Sequence, residues 1–163
     1  MYVFDTSTFI NGKNRQLPPE TFPGVWEFIE QNIEKGAIIA PKAVLTEIKQ
    51  QTDELFNWAH KYLDAFVDPS RAVQQRVGEV QAHQNFPNQG TRNEADPWVV
   101  AEALERNWTV VSYEGRAPNG EPTRRVMEKI PGVCKAFNLE CITLPEALGR
   151  LGAQFVLASK TST

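Results

Sequence analysis

Residue types that build nucleophilic or soft-metal sites are scarce in this sequence. Its 163 residues hold only two cysteines and two histidines. Cys134 and Cys141 form no C-x-x-C pair, and the six residues between them suit no common zinc arrangement. Both sit in apolar company, beside Val133 and Ile142, and read as small core residues. His60 and His83 fall on helical stretches without a partner signature, so they read as surface or packing residues and leave no histidine-activated nucleophile. No apolar run approaches the ~20 residues of a membrane span. The first residues lack the basic and apolar regions of a leader, and a cytoplasmic protein is expected. An excess of positive charge is also missing. A net charge of −3 speaks against a broad surface that coats nucleic acid and leaves room for a small local basic rim.

What is present is an ordinary globular mix, 41% apolar and 23% charged, with no internal repeat or low-complexity tract. A chain of this size buries roughly 70% of its unfolded surface and needs no staples. One domain is expected over residues 1–152, with a frayed tail over 153–163. Tyr2, Val3 and Phe4 form a short buried strand. Residues 11–23, with Gly12, Pro18, Pro19 and Pro23, read as a loop. A helix over 25–33 stops at Gly36, and AIIA at 37–40 is a strand covered on both faces. Helices follow from Pro41 and from Asp53 through Leu63. Residues 71–84 read as a polar, peripheral helix and 85–93 as a loop. Pro97 opens a strong helix, TVVSY at 109–113 is a third strand, and 116–122 is a Gly/Pro-rich loop. Short helical pieces at 126–130 and 133–137 lead to a fourth strand at 140–143 and a helix at 144–151. Strands alternating with helices predict an α/β fold with a mainly parallel sheet.

In such sheets, ligands bind beyond the carboxyl ends of the strands. Four acids fall there. Asp5 ends the first strand, and Glu114 ends the third. Asp96 stands before Pro97 at a helix start, where it also suits an N-cap. Glu47 lies two turns into the helix after the second strand, at the margin of its apolar stripe. Asp5 equally suits a turn cap over Thr6, Ser7 and Thr8. Together, clustered carboxylates repel unless a cation joins them. Oxygen donors of this kind suit Mg²⁺ or Mn²⁺, which favours phosphodiester cleavage. The hydroxyls of Thr6 and Ser7 are placed to orient a metal-bound water or a phosphate.

These residues resemble the motifs of the PIN-domain nucleases. A strand followed by D-T-[NS]-x-[FLI] is matched by Asp5-Thr6-Ser7-Thr8-Phe9, the helix acid by Glu47 in VLTEIK, D-x-x-[IVL] by Asp96-Pro97-Trp98-Val99, and the [TS]-x-acid by Ser112-Tyr113-Glu114. The order and the intervening elements agree over residues 1–150. The A-D-P-W third motif at 95–98 and the V-C-x-A…C-I-x-L ending at 133–144 resemble one branch of that family. The resemblance implies a three-layer α/β/α fold and hydrolysis of single-stranded RNA by metal-activated water. Asp5, Glu47, Asp96 and Glu114 would be the catalytic, Mg²⁺- or Mn²⁺-binding acids. It also implies a VapC-like toxin held by an antitoxin encoded nearby, and a homodimer. Ser7 replaces the commoner Asn, and Glu114 stands where Asp is usual. The extra methylene moves that carboxylate by about 1.5 Å, one C–C bond, and suits action through water.

RNA has to be held as well as cut. Lys13, Arg15, Lys42, Lys49, Arg92 and Arg116 flank the acids and are the candidate RNA-binding residues. Trp26, Trp58 and Trp98 have the π-faces to stack bases, but their apolar neighbours place them in the core. Two rival classes remain. A non-catalytic binding module would keep the fold without the chemistry. An aspartate-nucleophile phosphotransferase would use Asp5, but it calls for a second Asp where Ser7 stands.

Overall fold

A computed structural model describes residues 1–51, 53–83, 94–117, 119 and 121–156. Among the described residues there are five strands: β1 (Tyr2–Phe4), β2 (Ile38–Pro41), β3 (Phe66–Val67), β4 (Thr109–Val111) and β5 (Cys141–Ile142). All pair in parallel, in the order β3-β2-β1-β4-β5. Strand β1 is central, with Tyr2 opposite both Ile38 and Thr109 and Val3 opposite Ile39 and Val110. Each of its residues is buried, as a strand covered on both faces requires.

Eight α-helices among the described residues complete a three-layer α/β/α fold: α1 (Thr6–Asn11), α2 (Pro23–Glu34), α3 (Lys42–Lys49), α4 (Asp53–Ala59), α5 (Arg71–Gln81), α6 (Asp96–Arg106), α7 (Ile130–Ala136) and α8 (Leu144–Arg150). Helix α6 packs across β1, β2 and β4, with Val99, Val100 and Ala103 buried. Asn107, in the left-handed conformation, ends it and returns the chain to β4. Thr143 and Glu146 form a capping box at the start of α8.

Several elements differ from expectation. The described strands are wholly parallel, and β3 is an additional fifth strand. Its two residues follow the α4 pattern through a tight 3₁₀ segment, His60–Ala65, so no separate apolar run announces it. Thr6 to Thr8 are not a turn but the first residues of α1, which continues into a π-helical turn, Gly12–Gln16, where a loop was expected. Helix α5 is not peripheral. Val73, Val77 and Val80 recur at helical spacing and are buried as α5 packs along α6. The expected loop at 85–93 lies outside the described residues. In the expected tail, Phe155 meets Phe28 edge to face, with ring centroids 6.2 Å apart, and residues 157–163 lie outside the described set. No described helix is long and apolar enough to cross a membrane.

Candidate active site

Strands β1 and β4 stop in register, Phe4 beside Val111, and each is followed by a polar residue. Asp5 is 1% exposed and Ser112 is fully buried. The Asp5 amide donates to the Val111 carbonyl at 3.0 Å, which holds the residue at the sheet edge. Asp5 has extended backbone and is the N-cap of α1, so the cap reading holds. Its Oδ2 accepts from the Ser7 amide at 3.2 Å, the Ser7 hydroxyl at 2.5 Å and the Ser112 hydroxyl at 2.9 Å. Among the described residues no donor reaches Oδ1, and the cap therefore leaves one carboxylate oxygen available.

The other acids arrive from separate elements. Glu47, half-buried on α3, accepts from the Thr6 hydroxyl (2.5 Å) and the Ala95 amide (2.9 Å). It thereby ties the start of α1 to the start of α6. Asp96 is 4% exposed and is the first residue of α6. It is not the N-cap. Ala95 holds that place with helical backbone angles, its amide is met by Glu47, and the Asp96 side chain caps nothing. Glu114 Oε2 accepts from the Ile130 amide (3.3 Å), and its Oε1 stands 3.8 Å from the Lys129 ammonium.

The four acids line one cavity of about 340 Å³, with Thr6, Ser7, Glu94 and Trp98 among its other walls. Burial pushes the Asp96 carboxyl up to about 9, helped by the charges of Asp5, Glu114 and Glu47 and opposed by Lys129. Burial, then Glu114, raises Asp5 to about 6. Glu47 and Glu114 are also raised, chiefly by burial. Among the described residues, no three acids, histidines or cysteines stand close enough to hold a metal ion as placed. The donor chemistry nevertheless fits a hard divalent cation. The carboxylates repel, Lys129 is the described cation that opposes them, and Asp96 meets no described donor. Such oxygens suit Mg²⁺ or Mn²⁺. Asp5 through Oδ1 and Asp96 would hold it, with Glu47 and Glu114 at the margin because hydrogen bonds already engage them.

Some assigned roles change. The Thr6 and Ser7 hydroxyls are engaged with Glu47 and Asp5, so they orient carboxylates rather than a water or phosphate. Ser112 does the same for Asp5 and accepts from the Glu114 amide. Trp26 and Trp58 are core residues stacked edge to face, but Trp98 is half-buried on the cavity wall. No described lysine or arginine lines the acid cavity. Lys13 donates to the Glu54 carbonyl, Lys42 pairs with Asp68 at 2.8 Å, and Lys49 lies over the Phe56 ring. Arg15 and Arg116 line a neighbouring cavity instead, and Arg92 lies outside the described residues. Cys134 is buried, and Cys141 beside it and burial push its thiol well up, in keeping with a core role. His60 and His83 pack on Phe56 and Phe137.

Sequence reasoning missed Glu94, Lys129 and the Thr8 hydroxyl, which donates to the Val111 carbonyl at 2.7 Å. Glu94 had a signal, standing two residues before Asp96. Lys129 had none, since only the packing of α7 brings it to Glu114.

No curated protein matches the sequence. The model of a family described as a domain of unknown function, DUF4411, matches residues 2–155. That span takes in all five strands and all four acids, and the chain therefore belongs to the DUF4411 family.

Proposed function

We propose that this protein is a Mg²⁺- or Mn²⁺-dependent endoribonuclease of PIN type that hydrolyses single-stranded RNA, and that it acts as the toxin of a bacterial toxin–antitoxin pair. The observation that supports the nuclease reading is the gathering of Asp5, Glu47, Asp96 and Glu114, from four elements, on one cavity at the carboxyl edge of the parallel sheet. The toxin role rests on the sequence resemblance alone.

A divalent cation supplies a more acidic bound water and stabilises developing negative charge on phosphate oxygens. The chain's own residues do the rest. Ser7 and Ser112 donate to Asp5 and keep it in one orientation. Glu47 fixes the start of α6 and with it Asp96. Lys129 and the Ile130 amide hold Glu114 at the margin, where it is placed to accept a proton through water. Trp98 on the wall offers a face for a base.

Replacing Asp5 by Asn keeps an acceptor for Ser7 and Ser112, so the fold is expected to survive. RNA cleavage in Mg²⁺ is expected to fall at least about a hundredfold. Bacteria expressing the parent are expected to stop growing, and those expressing Asp5→Asn to grow. Equal cleavage by the two proteins would remove Asp5 from the mechanism. A second reading, a non-catalytic binding module, is favoured by the absence of a closed metal cage among the described residues. Calorimetry separates the two: heat on titrating Mn²⁺ into the parent, lost in Asp5→Asn, supports the nuclease.

A further inference from the structure

We propose that the cavity between the end of α1 and the loop after β4 is a phosphate subsite, where Arg15, Arg116 and the Tyr113 hydroxyl hold the phosphodiester adjacent to the one at the acid cavity. The proposal rests on the ribonuclease reading and adds the place where the strand is gripped.

The cavity, of about 170 Å³, is lined by Asn11, Arg15, Gln16, Tyr113, Arg116 and Ala117. Its lining includes two arginines, two amide residues and a tyrosine, and no described carboxylate residue. That is the reverse of the neighbouring acid cavity. Guanidinium groups match phosphate oxygens in fork geometry. Tyr113 is 6% exposed, and the Gln16 side chain stands at its hydroxyl as a hydrogen-bond partner. With Gln16 donating to it, the hydroxyl keeps its own proton to donate to a phosphate oxygen in the cavity. Burial raises the phenol to about 12 while Arg116 acts to lower it, so the hydroxyl remains a donor at neutral pH. Gln16, Tyr113 and Arg116 also line an adjoining, wider cavity with Glu121 and Glu146, and the Glu146 charge acts on Tyr113 and Arg116 from that side.

The two cavities are built on the same residues. Tyr113 and Glu114 are consecutive, and each faces a different cavity. Ser7 lines the acid cavity and accepts from the Tyr113 amide, while Asn11, one turn along α1, lines the other and donates to the Ser7 carbonyl. One helical turn is about 5.4 Å, comparable to the step between neighbouring phosphates in an extended single strand. Gly115, with φ of +67°, reverses the chain between Glu114 and Arg116 and so sends the acid one way and the guanidinium the other.

The test is binding of a labelled single-stranded RNA hexamer to the full chain in EDTA. Arg15→Gln and Arg116→Gln are each expected to weaken binding about tenfold. Each is also expected to lower the slope of log Kd against log salt by about 0.7, one phosphate contact on a single strand. Arg76→Gln, whose parent side chain pairs with Glu79 and Glu105 on the α5–α6 side, serves as the surface control and leaves both unchanged. Tyr113→Phe removes only the hydroxyl. A ligand role predicts several-fold weaker binding with an equal or higher melting temperature, whereas a purely structural role predicts a lower melting temperature and unaltered binding. A single methylphosphonate walked along the hexamer is expected to weaken the parent at one position and to have no further effect in the double arginine variant. Binding and cleavage that persist with an unchanged salt slope in both arginine variants overturn the subsite and leave the ribonuclease standing. A parent that binds no RNA in EDTA and cleaves none in Mg²⁺ or Mn²⁺ overturns the reading beneath it.

Discussion

At the scale of the residue, Asp5 does two jobs with its two oxygens. Oδ2 caps α1 and accepts a hydrogen bond from the Ser112 hydroxyl, while no described donor reaches Oδ1. The cap and site readings are therefore compatible, because a carboxylate has more acceptor sites than a cap consumes. Asp96 differs in meeting no described donor, while burial, and then the charges of three acids, raise its carboxyl to about 9. Asp96→Asn removes a buried charge site that the metal-free fold tolerates poorly. In EDTA at pH 8 it is expected to gain at least about 1 kcal/mol, since one pKa unit corresponds to about 1.4 kcal/mol. Cleavage in Mg²⁺ is expected to fall at least about a hundredfold. Urea titration and an RNA cleavage assay measure the two. A variant that loses stability in EDTA would show that Asp96 is structurally satisfied. The identities of the four acids were readable because Asp5 and Glu114 follow strand ends, Asp96 stands at a helix start and Glu47 lies at the margin of the α3 apolar stripe. Their partners were not readable, because the Glu47–Ala95 bond and the Glu114–Lys129 pair join residues distant in sequence or on separately packed elements.

At the scale of the element, periodicity located the main helices and four strands. It failed where local chemistry admits two outcomes. Thr6, Ser7 and Thr8 suit a turn, yet Asp5 in front of them is a strong N-cap and α1 begins there. Strand β3 is too short for any alternation, and it exists because Ala40 and Pro41 offer it a parallel edge. Of the Gly/Pro-rich loop expected at 116–122, Pro118 and Gly120 lie outside the described residues, and the turn that leads into it was not anticipated. Gly115 there has positive φ, and an added Cβ would come within 2.5 Å of Val126 Cα. Gly115→Ala is expected to destabilise the protein by about 1–3 kcal/mol through backbone strain. It should also weaken Mn²⁺ and RNA binding together, because the turn positions both Glu114 and Arg116. Melting curves with calorimetry check this. Loss of stability with both affinities intact would separate the turn from the two cavities.

At the scale of the molecule, the sheet order places β1 at the centre, with the connection from β1 leading to β2 on one side and the return to β4 on the other. The crevice where strand order reverses is where open α/β sheets bind ligands. Asp5 lies at that point, and α3, α6 and the end of β4 bring Glu47, Asp96 and Glu114 to it. The topology thus concentrates negative charge, and its consequence is a stability that depends on pH. The folded carboxyls of Asp5 and Asp96, at about 6 and about 9, lie above the ordinary value of 3.8. The unfolded chain therefore releases these protons first. Their contribution is fully present below about pH 3.8 and is lost as pH rises through about 6 and then about 9. In EDTA, the urea midpoint is expected to fall between pH 5 and pH 9. Mg²⁺ or Mn²⁺ binds the ionised acids, so at a hundred times its Kd it restores about 2.7 kcal/mol. The restoration grows with pH, because protons and the cation compete for the same oxygens. A midpoint that is flat from pH 5 to 9 and indifferent to either metal would mean that the acids are too well solvated to repel one another, and the nuclease reading would lose its physical basis.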